Sequence, residues 1–151
     1  MNFYYLDASA WVKRYYQEAG TAWVQALFDQ DCILACASLG IIEVMATLAR
    51  KRKAREIDAA LFEQKAGELE DDWAGFVQVQ FTDEVLEAAK DVARRLAVRG
   101  ADAIHLASAL MLQRRFADAS DQLLLVASDY RLKQAAQASG MTVIDPETAE
   151  S

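Results

Sequence analysis

The sequence is poor in the residues that break, staple or coordinate a chain: 151 residues include one proline, two cysteines, one histidine and six glycines. So little proline and glycine excludes a collagen-like or low-complexity chain. With 54% hydrophobic and 26% charged residues, the composition is that of a chain that buries a core. One histidine and two cysteines cannot complete a usual zinc set. Cys32 and Cys36 lie in the apolar run CILACA and are expected as reduced core residues on one face of a strand, a thiol usage that fits the cytoplasm. No apolar run approaches the roughly 18 residues of a membrane span, and no basic segment precedes an apolar stretch at the start, so neither membrane insertion nor export is expected. Positive charge is scarce too: 16 Lys and Arg against 23 Asp and Glu leave a net charge of −7. Such a chain repels nucleic acid on average, and any attraction must come from local basic patches or bound cations.

A chain of this length forms one domain that buries roughly 68–70% of its unfolded surface. Periodicity predicts strands over Asn2–Leu6, Cys32–Ala35, Phe76–Phe81, Leu123–Ala127 and Met141–Ile144. The polar alternation of Phe76–Phe81 suits an edge, and the unbroken apolar Leu123–Ala127 suits the centre of a parallel sheet. Helices are predicted from Ala10 to Tyr16, from Thr21 as cap to Phe28, from Ser38 into the basic run Arg50–Arg55, and from Ile57 to Trp73. Further helices run from Thr82 to Arg99 with Gly100 as C-terminal cap, from Asp102 to Arg115, and from Tyr130 to Ser139 before Gly140. A polar connection, Asp118–Asp121, links two of these elements. Alternating strands and helices imply a single α/β domain over 1–146 with a mostly parallel central sheet flanked by helices, and a short tail over 147–151.

Ligand crevices of parallel sheets lie at the carboxyl ends of the strands, where Asp7 and Asp129 fall. Asp102 opens a helix, and Glu43 sits among Gly40, Ile41, Ile42, Val44, Met45 and Ala46, where a charge needs a partner. Four carboxylates in one crevice would repel one another unless a divalent cation neutralised them, and hard oxygen ligands select Mg²⁺ or Mn²⁺. A plainer reading stands beside this one. Asp7, Asp102 and Asp129 all stand where helix N-caps are wanted, and Glu43 aligns with Thr47 and Arg50 on a polar stripe. Spacing alone leaves both readings open.

The phrases that carry these acids resemble one family. YLDASAWVKRYYQE, with Asp7 and Ser9, resembles the opening of PIN-domain proteins of the VapC toxin type; SLGIIEVMATLARK, with Glu43, GADAIHLASAL, with Asp102, and LLLVASDYRLKQAAQASGMTVIDP, with Ser128 and Asp129, resemble the motifs that follow. The resemblance implies a PIN fold and a Mg²⁺-dependent endoribonuclease, with Mn²⁺ as an alternative, that hydrolyses RNA by metal-activated water. The toxin half of a type II toxin–antitoxin pair, with a cognate antitoxin and a homodimer, is implied as well. On this reading Asp7, Glu43, Asp102 and Asp129 are the catalytic metal ligands, and Ser9 and Ser128 orient Asp7 and Asp129 by hydrogen bonds. His105, three residues after Asp102, packs or orients that residue, with catalysis as the alternative. Lys13 and Arg14 are the cations expected to meet RNA phosphate. Arg50, Lys51 and Arg52 either guide RNA or form a solvated helix end that meets an acidic partner. Trp11, Trp23 and Phe62 are expected to supply a surface for a second copy.

Three rival readings remain. A phosphoacceptor signalling domain shares the fold class and an acidic Mg²⁺ pocket, but needs a lysine after the last strand, and MTVIDPETAES has none. A non-catalytic interaction module would keep the fold without the chemistry, and a housekeeping RNA-processing nuclease would act without an antitoxin.

Overall fold

Which side of the first strand each later strand joins decides where the crevice lies. The computed structural model describes residues 2–116 and 122–149. Among these, β1 (Asn2–Leu6), β2 (Ile33–Ala37), β3 (Val77–Val79), β4 (Gln122–Val126) and β5 (Thr142–Ile144) form one parallel sheet in the order β3-β2-β1-β4-β5. The chain adds strands on one side of β1, then crosses to add β4 and β5 on the other. The topological switch point therefore lies between β1 and β4, and there parallel sheets open a crevice at their carboxyl ends. Register pairs Leu6 with Val126, and the Asp7 amide continues the ladder to the Val126 carbonyl at 3.1 Å. The residues just past both strands thus start level with each other.

Helices cover the sheet: α1 (Ala8–Trp11), followed by a 3₁₀ turn Val12–Arg14, then α2 (Thr21–Phe28), α3 (Ser38–Lys53), α4 (Ala59–Ala74), α5 (Asp83–Leu96), α6 (Gly100–Arg115) and α7 (Tyr130–Ala138). Tyr5, Leu6, Trp11, Leu48, Leu106 and Leu125 are fully buried between these layers. The expected α/β order is present, β3 is an edge strand and β4 an interior one. The polar connection Asp118–Asp121 lies outside the described residues.

Several boundaries differ from expectation for identifiable reasons. The second strand begins one residue later and ends two later, because β3 pairs with Ala35, Cys36 and Ala37 and extends the ladder. Cys36 is buried in it, whereas Cys32 stays outside, half-buried, so the two thiols do not share a strand face. Thr21 is inside α2 and does not cap it: Gly20, at φ 92°, holds the cap position, and the Thr21 hydroxyl accepts from the Glu18 amide at 3.0 Å. The helix from Thr82 stops at Leu96 because Ala97 turns left-handed (φ 53°), which leaves Gly100 to begin α6. Asp102 is then third in its helix, with Arg99 at the cap position. Trp11 and Phe62, expected on an intersubunit surface, belong to the core: Trp11 stacks on Phe76 at 4.5 Å between ring centres and donates its indole N–H to Tyr15. The turn after β5 packs back onto the domain, with Pro146 buried against Gly20.

Two helical glycines make opposite predictions. A methyl at Gly40 in α3 would run into Cys36 Sγ of β2, whereas one at Gly67 in α4 meets nothing within 4 Å. Gly40→Ala is expected to destabilise by about 1–3 kcal/mol through overpacking. Gly67→Ala is expected to stabilise by roughly 0.5–1 kcal/mol, the helix-interior difference between the two residues. Urea unfolding of both variants tests the α3–β2 packing, and a stabilised Gly40→Ala would contradict it.

Candidate active site

Asp7 and Asp129 follow the two strands that flank the switch point. Each accepts a backbone N–H through Oδ1: Asp7 from Ala10 at 3.0 Å, opening α1, and Asp129 from Leu132 at 3.0 Å, opening α7. The cap reading and the site reading are therefore compatible, since capping uses one oxygen of each carboxylate and leaves the other. The Ser9 hydroxyl lies 2.8 Å from both Asp7 oxygens and accepts from the amides of Ser128 at 3.1 Å and Asp129 at 3.2 Å. One hydroxyl thus holds Asp7 in place and ties the loop after β1 to the loop after β4. Ser128 does not orient Asp129 as expected. Its hydroxyl donates to Asp145 at 2.8 Å, where Lys133 also binds at 2.6 Å, so it anchors the turn after β5.

Glu43 comes from α3 on the β2 side of the crevice. Its carboxylate meets His105 Nε2 at 2.5 Å, and His105 Nδ1 meets the Tyr5 phenol at 2.8 Å. The phenol also accepts from the Ala37 amide at 3.1 Å. His105 therefore holds Glu43, not Asp102 as expected, because α6 turns its ring toward β1 and α3. Burial lowers the imidazole's proton affinity, but the Glu43 carboxylate bonded to Nε2 outweighs this and pushes it above its ordinary value. Burial pushes the Tyr5 phenol strongly upward, so it stays neutral. The polar-stripe reading of α3 also holds in part: Thr47 donates to the Glu43 carbonyl at 2.9 Å and Arg50 donates to Thr47 at 2.9 Å.

Asp102, only 5% exposed, projects from the first turn of α6 and pairs with Arg99 Nε at 3.0 Å; Arg99 Nη2 reaches Asp129 at 2.9 Å. Sequence reasoning missed Arg99, although its position three residues before Asp102 at a helix start is a spacing that permits an ion pair. It also missed Tyr5, for which the signal was a phenol inside an apolar strand, where a buried hydroxyl must find a partner.

These side chains converge. One cavity of about 210 Å³ is lined by Asp7, Ser9, Glu43, Arg99, Asp102, His105 and Asp129, so all four acids face a common space. It adjoins a larger cleft of about 580 Å³ that shares Ser9, Glu43 and Asp129 and adds Lys13, Thr47, Arg50 and Glu147. The expected phosphate contacts are not free there. Lys13 is buried and paired with Glu18 at 2.9 Å and Glu147 at 3.6 Å, and Arg14 points onto Asp72 at 2.7 Å and the Phe28 ring at 4.0 Å, outside the cleft lining. Lys51 pairs with Glu56 and lies over Tyr16, and Arg52 lies over Phe62. Of the cations named from sequence, exposed Arg50 and buried Lys13 line the cleft.

The donor set fits a divalent cation. Asp7 is buried, and among the described residues no cationic side chain is within ion-pair distance of it; a hydroxyl and an amide are its partners. Burial raises its carboxyl to about 6, against an ordinary 3.8, with His105, Ser9 and the Ala10 amide opposing the rise. Such a buried carboxylate calls for positive charge from outside the chain. Among the described residues no three acidic, histidine or cysteine side chains already close around one point. An open oxygen site of this kind suits an ion that keeps several waters and takes further oxygens from a phosphate.

The raised carboxyl of Asp7 has a measurable consequence. Folded protein without metal keeps this proton up to about pH 6, while the unfolded chain releases it near 3.8. The stability contributed by the protonated group is full below the unfolded value and is lost as pH rises through the folded one, roughly 1 kcal/mol of it between pH 5 and 7. Urea unfolding in chelator should show this loss in the native chain and not in Asp7→Asn. Equal pH slopes in the two would contradict it.

Comparison with known proteins agrees with this geometry. The PIN domain family profile matches residues 4–138. Ribonuclease VapC45 of Mycobacterium tuberculosis (strain CDC 1551 / Oshkosh) is 38% identical over 145 residues, covering 95% of each chain. Among solved structures, VapBC2 from Rickettsia felis bound to a promoter DNA fragment superposes with a TM-score of 0.65 at 12% identity, over 95% of this chain and 98% of that one. A toxin-antitoxin complex from Klebsiella pneumoniae superposes at 0.61 with 16% identity, over 94% and 96%. Those two share the fold. Among the described residues no helix is long and apolar enough to cross a membrane. With the family profile spanning most of the chain and a ribonuclease related along nearly its whole length, the chain belongs to the PIN-domain family, as a member of the VapC type.

Proposed function

We propose that this chain is an endoribonuclease that hydrolyses RNA phosphodiester bonds with Mg²⁺, or Mn²⁺ in its place, and that it acts in the cytoplasm as the toxin of a toxin–antitoxin pair. The convergence of Asp7, Glu43, Asp102 and Asp129 on one cavity at the switch point of the sheet carries the reading. The 38% identity to a ribonuclease over 95% of the chain supports the substrate class, and the fold shared with a toxin-antitoxin complex supports an antitoxin partner.

On this reading the four carboxylates hold the cation, with Asp7 and Asp102 the most buried donors. The ion, when bound, supplies an activated water and neutralises charge that builds on the phosphorus during displacement. The chain does the positioning. Ser9 fixes Asp7 against the loop of Asp129, and the Tyr5–His105 contact aims the Glu43 carboxylate. Arg50, exposed at the mouth of the larger cleft and held by Thr47, offers the RNA backbone a cation on a chain whose net charge would otherwise repel it.

The chain purified free of any antitoxin should cleave structured RNA with Mg²⁺ or Mn²⁺ and stop on chelation. Asp7→Asn and Asp102→Asn should each lower the rate by about 10²–10³-fold or more, the usual scale for removing a group that stabilises transition-state charge. Cleavage that survives both changes would assign the activity elsewhere. A folded chain with no cleavage on a broad RNA panel would favour a non-catalytic module, and cleavage without an antitoxin gene beside it a housekeeping nuclease.

A further inference from the structure

Arg99 is the one arginine or lysine among the described residues that lines the acidic cavity, where the ring of His105 is turned to Glu43. Its fork spans two of the four acids: Nε to Asp102 at 3.0 Å, and Nη2 to Asp129 at 2.9 Å and to the second Asp102 oxygen at 3.5 Å. The partners differ in their freedom. The Asp102 side chain is 7% exposed and fixed in the first turn of α6, whereas that of Arg99 is 56% exposed and hangs from the cap position, where the backbone is extended. The guanidinium can therefore leave the acids without unfolding any element. Lys13, buried between Glu18 and Glu147, and Lys133, held by Asp145, lack this freedom, and Arg50, exposed at the neighbouring cleft, is bonded to the Thr47 hydroxyl and to none of the four acids.

An arginine cannot lose its charge at ordinary pH, so it balances Asp102 and Asp129 permanently while it stays. A divalent cation held by Asp102 and Asp129 would compete with the guanidinium for these carboxylates, and the guanidinium, once released, would stay tethered at the rim of the cavity. A planar fork that fits one carboxylate fits two phosphate oxygens equally well. We propose that Arg99 is an exchangeable counter-ion: it pairs with Asp102 and Asp129 until a divalent cation takes them, and then turns to the phosphate of the RNA. The inference rests on the ribonuclease reading above. A purely structural staple between α6 and the start of α7 would behave differently, since removing it would loosen the acids without relieving any competition.

The test compares the full native chain with Arg99→Gln and with Arg95→Gln, which removes an exposed arginine paired with Asp91 on α5 and controls for net charge. Mn²⁺ affinity is read by calorimetry at fixed ionic strength, and RNA cleavage by steady-state kinetics at saturating Mn²⁺. Arg99→Gln should bind Mn²⁺ roughly three- to fivefold more tightly, the upper scale of losing one half-exposed ion-pair competitor, and should raise KM for RNA by about tenfold. Arg95→Gln should change both by less than about twofold, since an exposed charge outside the cavity lining and paired with Asp91 is screened. Unchanged or weaker Mn²⁺ affinity in Arg99→Gln, an unchanged KM, or equal tightening in Arg95→Gln would overturn the inference. If the native chain binds no Mn²⁺ or cleaves no RNA, the ribonuclease reading itself fails and takes this inference with it.

Discussion

The buried carboxylate of Asp7 is the constraint around which the site is arranged. A charge at 4% exposure beside a parallel sheet costs several kcal/mol unless it is compensated, and among the described residues its direct partners are a serine hydroxyl and one amide. Placing that acid at the carboxyl end of β1 is possible because β1 is the central strand and the side on which strands are added reverses beside it. The same reversal brings the end of β4 level with it, and Ser9 closes the gap by accepting two amides from that loop. Ser9 thus acts on two levels: it lowers the cost of the charge and fixes the geometry of the crevice.

Glu43 shows how the core supports the opposite wall. Its carboxylate is held at the cavity by a chain of contacts that starts at the Ala37 amide and passes through Tyr5 and His105. The chain fits because Gly40 lets α3 approach β2 closely enough for Cys36 and His105 to pack together. Backbone, core aromatic and site acid are therefore coupled, and a change in α3 packing reaches the carboxylate without touching it.

Much of this was legible in the sequence. The alternation of strands and helices and the fold class followed from periodicity, and the unbroken apolar run before Asp129 and the sudden acid after Leu6 marked the crevice. Asp7, Glu43, Asp102 and Asp129 do share one cavity. What failed had a common cause: hydrogen-bond and ion-pair partners are set by three-dimensional approach, which spacing does not encode. His105 lies three residues from Asp102 yet serves Glu43, Ser128 adjoins Asp129 yet serves Asp145, and Lys13 follows Asp7 closely yet is consumed by Glu18 and Glu147. Gly100 read as a helix end because glycine often is one, while the turn fell to Ala97 in the left-handed region. Arg99 carried no motif, and only the folded start of α6 shows that it bridges two acids.

The central claim is that the four carboxylates form a divalent-cation site. Anomalous diffraction from crystals of the protein grown with Mn²⁺ tests it most directly, since the ion marks its own position. The account predicts a peak inside the cavity, within coordinating distance of the Asp7 and Asp102 carboxylates. A cavity without a peak in well-ordered, Mn²⁺-saturated crystals, or a peak held only by acids outside it, would contradict the account.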